Sequence, residues 1–130
     1  MKTKEEKQAI ENFIFSYRDA FNQLDIPKVL ALYTQDGTHL PANRPTVKGQ
    51  EQLKTFFGFL FKTFKINVEF SIVEIVLSGD YAFVELTSKG TVHVNATGEN
   101  MPLDNKEIYI LQNVNGSWKI SKSIFNQTKL

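Results

Sequence analysis

The sequence predicts an α+β fold in which three N-terminal helices pack on an antiparallel sheet. Two observations carry this. Apolar residues recur at three- and four-residue steps through the first half, and from Ile66 the period changes to two, as side chains alternate across a strand. The strand half is then divided by the turn signals Ser78-Gly79-Asp80, Thr97-Gly98-Glu99-Asn100 and Asn115-Gly116, the last of the type that favours a tight hairpin. Helices followed by a run of hairpin-linked strands is an α+β pattern.

Thr3-Lys4-Glu5-Glu6 has capping-box spacing, so the first helix is expected to begin there and run to about Asn22. Its apolar stripe is Ile10, Phe13, Ile14, Tyr17, Phe21 and Leu24. Asp25 can cap a second helix that has Pro27 in its first turn, where a missing amide costs nothing, and Gln35-Asp36-Gly37 is expected to end it. Thr38 to Leu40 reads as a short strand, and the prolines of Pro41-Ala42-Asn43-Arg44-Pro45 make a loop at a rim. After Gly49 a third helix carries Leu53, Phe56, Phe57, Leu60, Phe61 and Phe64 and is expected to be the most deeply packed. The strands follow at Ile66 to Leu77, Tyr81 to Val94, Lys106 to Val114 and Trp118 to Asn126, with Gly90 expected to mark a bulge or bend.

One domain over residues 1–130 is the expectation for a chain of this length with 42% hydrophobic and 22% charged residues. Fifteen basic and fourteen acidic side chains, with no block of either sign, leave no electrostatic footprint for nucleic acid or an anionic membrane. Without cysteine there is no thiol nucleophile or thiolate metal site. The charged stretch Met1 to Glu11 lacks the apolar core of a secretory signal, so the expected location is cytoplasmic. The two histidines lie far apart with no carboxylate cluster beside either, and no glycine-rich loop stands between a strand and a helix. No metal and no cofactor are therefore expected. Eleven phenylalanines suggest either a large apolar cavity or an ordinary Phe-rich core.

Five pieces in order resemble the nuclear-transport-factor-2-like superfamily: Tyr17 to Asp25, Ala31 to Asp36, Val47-Lys48-Gly49, Ser78 to Ala82 and Asn115 to Ile120. The sequence is most similar to its SnoaL-like and DUF4440 branches, near ketosteroid isomerase. The resemblance implies a cone-shaped, cystatin-like fold in which the sheet wraps around the helices and encloses an apolar cavity. It also implies a homodimer formed through the outer sheet face. Leu24 departs from the pattern, since many relatives carry glycine there, and the helix end must close without a residue that favours positive φ.

Ketosteroid isomerase combines a carboxylate base with an oxyanion hole that includes a tyrosine. The resemblance places Tyr17 at that tyrosine and Tyr33 at a supporting one, but it places Pro41, which cannot titrate, at the base. His39, two residues earlier on the same strand face, is the nearest substitute. Glu107 falls near the oxyanion acid of the isomerases and the acid of the SnoaL-like cyclases. It is either a buried acid or base of raised pKa, or a solvent-facing residue on an alternating strand. His93, on the neighbouring strand, could meet Glu107 across the ladder. Tyr17, Tyr33, Phe57 and Phe61 are expected to contact a ligand, and Asn43, with Arg44 and Asn126, to ring the mouth.

Three readings follow. The chain binds a small apolar or carbonyl-containing molecule without turnover; or Glu107 or His39 moves a proton beside a carbonyl in an isomerase, cyclase or dehydratase; or the fold is an association module. An association module would have a cavity plugged by phenylalanines of the third helix and a large apolar outer sheet face.

Overall fold

The computed structural model describes residues 2–128. Helix α1 spans Lys2–Asn22, so Thr3 lies inside the first turn and does not cap it. Ile10, Ile14, Tyr17 and Ala20 form its buried stripe, which packs on strand β3 (Phe64–Ser78). The helix closes in a Schellman turn: the Asp25 amide donates to the Ala20 carbonyl and the Leu24 amide to that of Phe21. Leu24 itself takes the left-handed conformation, with φ 57°, in the place where glycine was expected. Its side chain packs against the core and so opposes the cost of about 1–2 kcal/mol that this conformation carries.

Asp25 then caps α2 (Ile26–Ala31), its carboxylate accepting from the Lys28 amide. This helix is shorter than predicted. Tyr33 already belongs to strand β1 (Tyr33–Leu40), and Gln35 to Gly37 lie within that strand as an irregularity in its pairing. Gly37 fits closely there, since a Cβ would stand 3.0 Å from the Tyr33 ring and 3.1 Å from the Thr34 carbonyl oxygen. Strand β2 (Val47–Lys48), which the sequence did not suggest, pairs back on β1 across the proline-rich loop.

Helix α3 (Gly49–Thr63) buries Leu53, Phe57 and Phe61. Phe56, Leu60 and the following Phe64 are only partly buried because they face an internal cavity. Strands β3, β4 (Tyr81–Val94), β5 (Asn100–Val114) and β6 (Ser117–Gln127) form the antiparallel meander, β5 starting six residues before the predicted Lys106. The sheet order is β2-β1-β6-β5-β4-β3, and β1 runs parallel to β6. The sheet is thus mixed rather than wholly antiparallel, because β1 meets the last strand only after the chain has crossed over through α3 and the meander.

The bulges are not at Gly90. One is at Val73 on β3, where the inward parity passes from Ile72 to Ile75 and Leu77. The other is at Ser121 on β6, left without a partner between Ile120 and Lys122. Gly90 stays in register opposite Val68, and a Cβ on it would stand 1.9 Å from the Asn67 carbonyl oxygen. Its role is close backbone approach. No helix among the described residues is long and apolar enough to cross a membrane.

Candidate active site

The antiparallel registers set two rows of side chains across the inner face of the sheet. Val84, Tyr109, Ser123 and His39 lie side by side on β4, β5, β6 and β1, and the next row toward the rim holds Leu86, Glu107 and Phe125. The Ser121 bulge decides this arrangement. Continuing the alternation from Trp118 and Ile120 would turn Lys122 and Ile124 inward; the extra residue turns them out and brings Ser123 and Phe125 in.

Of these rows, His39, Tyr109, Glu107 and Phe125 floor a cavity of about 610 Å³ roofed by aromatic side chains of α1 and α3. Tyr17, His39, Phe57 and Glu107 all line it. Pro41 and Arg44 also line it. Tyr33 and Phe61 are buried behind the wall and do not line it; nor does Asn43, although its neighbours Ala42 and Arg44 do. His93 is far from Glu107. It pairs with Asn100 and accepts or donates a 2.9 Å hydrogen bond there, whereas Glu107 pairs with Leu86, seven residues along β4. Counting from Leu86, position 93 has odd separation and falls on the outer face, so the expected His93–Glu107 pair does not form.

The polar groups of the cavity form two connected sets. In the first, His39 Nδ1 lies 2.8 Å from Ser123 Oγ, which lies 2.9 Å from the Tyr33 hydroxyl, which lies 3.0 Å from that of Tyr17. In the second, the Tyr109 hydroxyl donates to Glu107 Oε1 at 2.8 Å. The Ser88 hydroxyl stands beside that carboxyl, close enough to favour its charged form, but it makes no well-formed hydrogen bond and is buried in the cavity wall without a partner.

Burial dominates the electrostatics. His39, packed against the rings of Phe56, Phe57 and Phe125, has its pKa lowered from 6.5 to about 4, so its imidazole is neutral near pH 7. Burial raises Glu107 above the usual carboxylate range, against the lowering effect of its Ser88 and Tyr109 neighbours. Tyr33 is pushed up to about 12 by burial, and Tyr17 and Tyr109 are raised well above 10 by burial and by their acidic and phenolic neighbours. All three phenols remain protonated donors. Ser123, Tyr109 and Ser88 were not singled out in the sequence. Tyr109 had a usable signal, being two residues from Glu107 on the same strand face, whereas Ser123 had none because its facing depends on the bulge.

A model of the SnoaL-like domain matches residues 15–119. The chain belongs to the SnoaL-like family. Of the two branches that the sequence resembles, this is the one matched, within the nuclear-transport-factor-2-like superfamily. Among solved structures, a ketosteroid isomerase-like protein from Erwinia carotovora atroseptica superposes on this SnoaL-like chain with a TM-score of 0.89 at 32% identity, covering 95% of this chain and 96% of that one. A proposed scytalone dehydratase from Novosphingobium aromaticivorans has a TM-score of 0.84 at 18% identity over 97% of this chain and 86% of its own. A cystatin-like domain of unknown function from Nostoc punctiforme gives 0.75 at 15% identity over 95% and 78%. At such identities the last two show the fold alone. No curated protein is similar enough in sequence to be matched.

Proposed function

We propose that this SnoaL-like protein is a proton-transferring enzyme of isomerase or dehydratase type acting on a small, largely apolar carbonyl compound. The observation that carries the reading is that Tyr17, His39 and Glu107 open onto one aromatic-walled cavity. A ketone bound with its oxygen at the Tyr17 hydroxyl would meet a donor that stays protonated, and the charge developing on that oxygen in enolisation would be held where little water competes. The neutral His39 imidazole is the base that replaces the carboxylate missing at Pro41, and Glu107, tied to Tyr109, is the second acid or base. The ketosteroid isomerase-like neighbour at 32% identity supports carbonyl chemistry.

A small bicyclic ketone, 2-tetralone, tests this by NMR in D2O. The protein should accelerate exchange of the hydrogens next to the carbonyl, Tyr17→Phe should slow it by about 100-fold or more, and Glu107→Gln and His39→Gln should slow it by about 100-fold each. Exchange no faster than in buffer would remove the enzymatic reading. Saturable binding without exchange would leave the second reading, a binding protein without turnover, which the titration-free Pro41 favours. The open cavity argues against a plugged association module.

The outer sheet face is the proposed homodimer surface. Val76, Phe83, Ile108 and Ile124 form a contiguous apolar strip there, each more than 40% exposed. Glu74 and Glu85 flank one side of it and Lys122 the other, so a two-fold-related copy would set acids against bases.

A further inference from the structure

We propose that His39, Ser123, Tyr33 and Tyr17 form a proton relay joining two points of the cavity wall, so that a proton removed from a ligand at His39 Nε2 is matched by one delivered to it from the Tyr17 hydroxyl. The inference rests on the proton-transfer reading above and adds to it two positioning residues, Ser123 and Tyr33, that never touch the ligand.

Three observations support the relay. Its links measure 2.8, 2.9 and 3.0 Å, all within hydrogen-bonding range. Only its ends, His39 and Tyr17, line the cavity, while Ser123 and Tyr33 are 1% and 3% exposed and enclosed by protein. Among the described residues, His39 Nε2 has no hydrogen-bond partner and is left to the cavity.

Each hydroxyl carries one hydrogen, so the chain has one direction at a time. When Tyr17 donates to a ligand oxygen, Tyr33 donates to Tyr17, Ser123 to Tyr33, and His39 Nδ1–H to Ser123. His39 Nε2 is then a bare lone pair facing the same ligand. A donor at one end therefore requires a base at the other.

In the reaction, Nε2 takes the hydrogen next to the carbonyl as a proton, and the C–H electron pair becomes the carbon–carbon double bond of the enol. The carbonyl π pair becomes a lone pair on oxygen, which takes the Tyr17 proton. Tyr17 is refilled from Tyr33, Tyr33 from Ser123, and Ser123 from His39 Nδ1. The ketone leaves as its enol, every hydroxyl is restored, and His39 ends neutral with its proton on Nε2. No ion remains in the apolar cavity. This accounts for a base that burial holds in its neutral form.

Nitrogen-15 NMR of the histidine-labelled protein tests the relay without any ligand, with His93→Gln used to assign the His39 signals. In the ligand-free protein, cavity water takes the ligand's place as acceptor from Tyr17, so the parent holds His39 protonated at Nδ1; Tyr17→Phe leaves Tyr33 free to donate toward Ser123, so His39 should shift to the tautomer protonated at Nε2, although no hydrogen bond joins it to Tyr17. The same substitution made in a Tyr33→Phe background should leave the His39 signals unmoved, and Ser123→Ala serves as the insulating background if Tyr33→Phe does not fold. His39 signals that ignore Tyr17→Phe in the wild-type background would overturn the relay. In the 2-tetralone assay, Ser123→Ala should lower kcat about 100-fold with KM unchanged, and Ser123→Thr, which restores a hydroxyl, should recover it; full kcat in Ser123→Ala would likewise overturn it. Failure of the wild-type protein to exchange 2-tetralone would count against the carbonyl reading alone, because the NMR comparison needs no ligand.

Discussion

His39 and Glu107 make opposite contributions to stability in acid. His39 titrates near 6.5 in the unfolded chain and near 4 in the folded one, so between those values the unfolded chain holds more protons. The stability conferred by its neutral, buried ring is complete above pH 6.5 and is lost as pH falls toward 4, by about 3 kcal/mol at most. Urea unfolding of His39→Gln at pH 7 and pH 4.5 should show a smaller loss between the two than the parent protein. Glu107 has the reverse sign, because its folded pKa is raised: the folded chain holds its proton longer, and stability falls as pH rises from the unfolded carboxyl value through the folded one. Glu107→Gln, which still offers an oxygen to the Tyr109 hydroxyl, should therefore be more stable than the parent at pH 7 by thermal melting while losing proton-transfer activity.

Among the elements, β3 and β4 depend on Gly90. The clash of a Cβ with the Asn67 carbonyl is between backbones, so neither side can yield by a rotamer change. Gly90→Ala should cost roughly 3 kcal/mol and lower the melting temperature by about 10 °C, measured by circular dichroism. Asn22 secures the same stretch of β3 from the other side: its amide donates to the Val68 carbonyl and its oxygen accepts from the Val68 amide, both at 2.8 Å. Asn22→Ala would leave a part-buried peptide group of β3 unpaired and should cost about 1–3 kcal/mol in urea unfolding. Helix positions, the Asp25 cap and most of the strand half were legible because periodicity and turn chemistry are local. The end of α2 was not. Tyr33 continues the helical apolar pattern in sequence, yet it is held in β1 by pairing with Ile120.

For the whole molecule, the two faces of one sheet differ in what they present. The inner face carries the cavity and its polar groups, while the outer apolar strip of Val76, Phe83, Ile108 and Ile124 contributes nothing to the cavity wall. Light scattering at micromolar concentration should give the mass of a dimer for the parent protein and that of a monomer for a Phe83→Lys, Ile108→Lys double variant. That variant should retain ketone exchange, since neither residue faces the cavity. A monomeric parent would remove the proposed interface and leave the cavity chemistry standing.

The sequence by itself determined the α+β class, the three helices, the meander and the family, because those follow from residue periodicity, caps, turns and ordered short motifs. It also named Tyr17, His39 and Glu107 as candidates. Only the tertiary structure decided that Tyr17 and His39 are joined through Tyr33 and Ser123 while Glu107 bonds to Tyr109. Ser123 and His39 lie 84 positions apart in the chain and meet through the parallel pairing of β1 with β6. Ser123 faces inward because one unpaired residue, Ser121, reverses the parity of the last strand. Parity and strand pairing belong to the assembled sheet, and a single inserted residue changes which side chains a cavity receives.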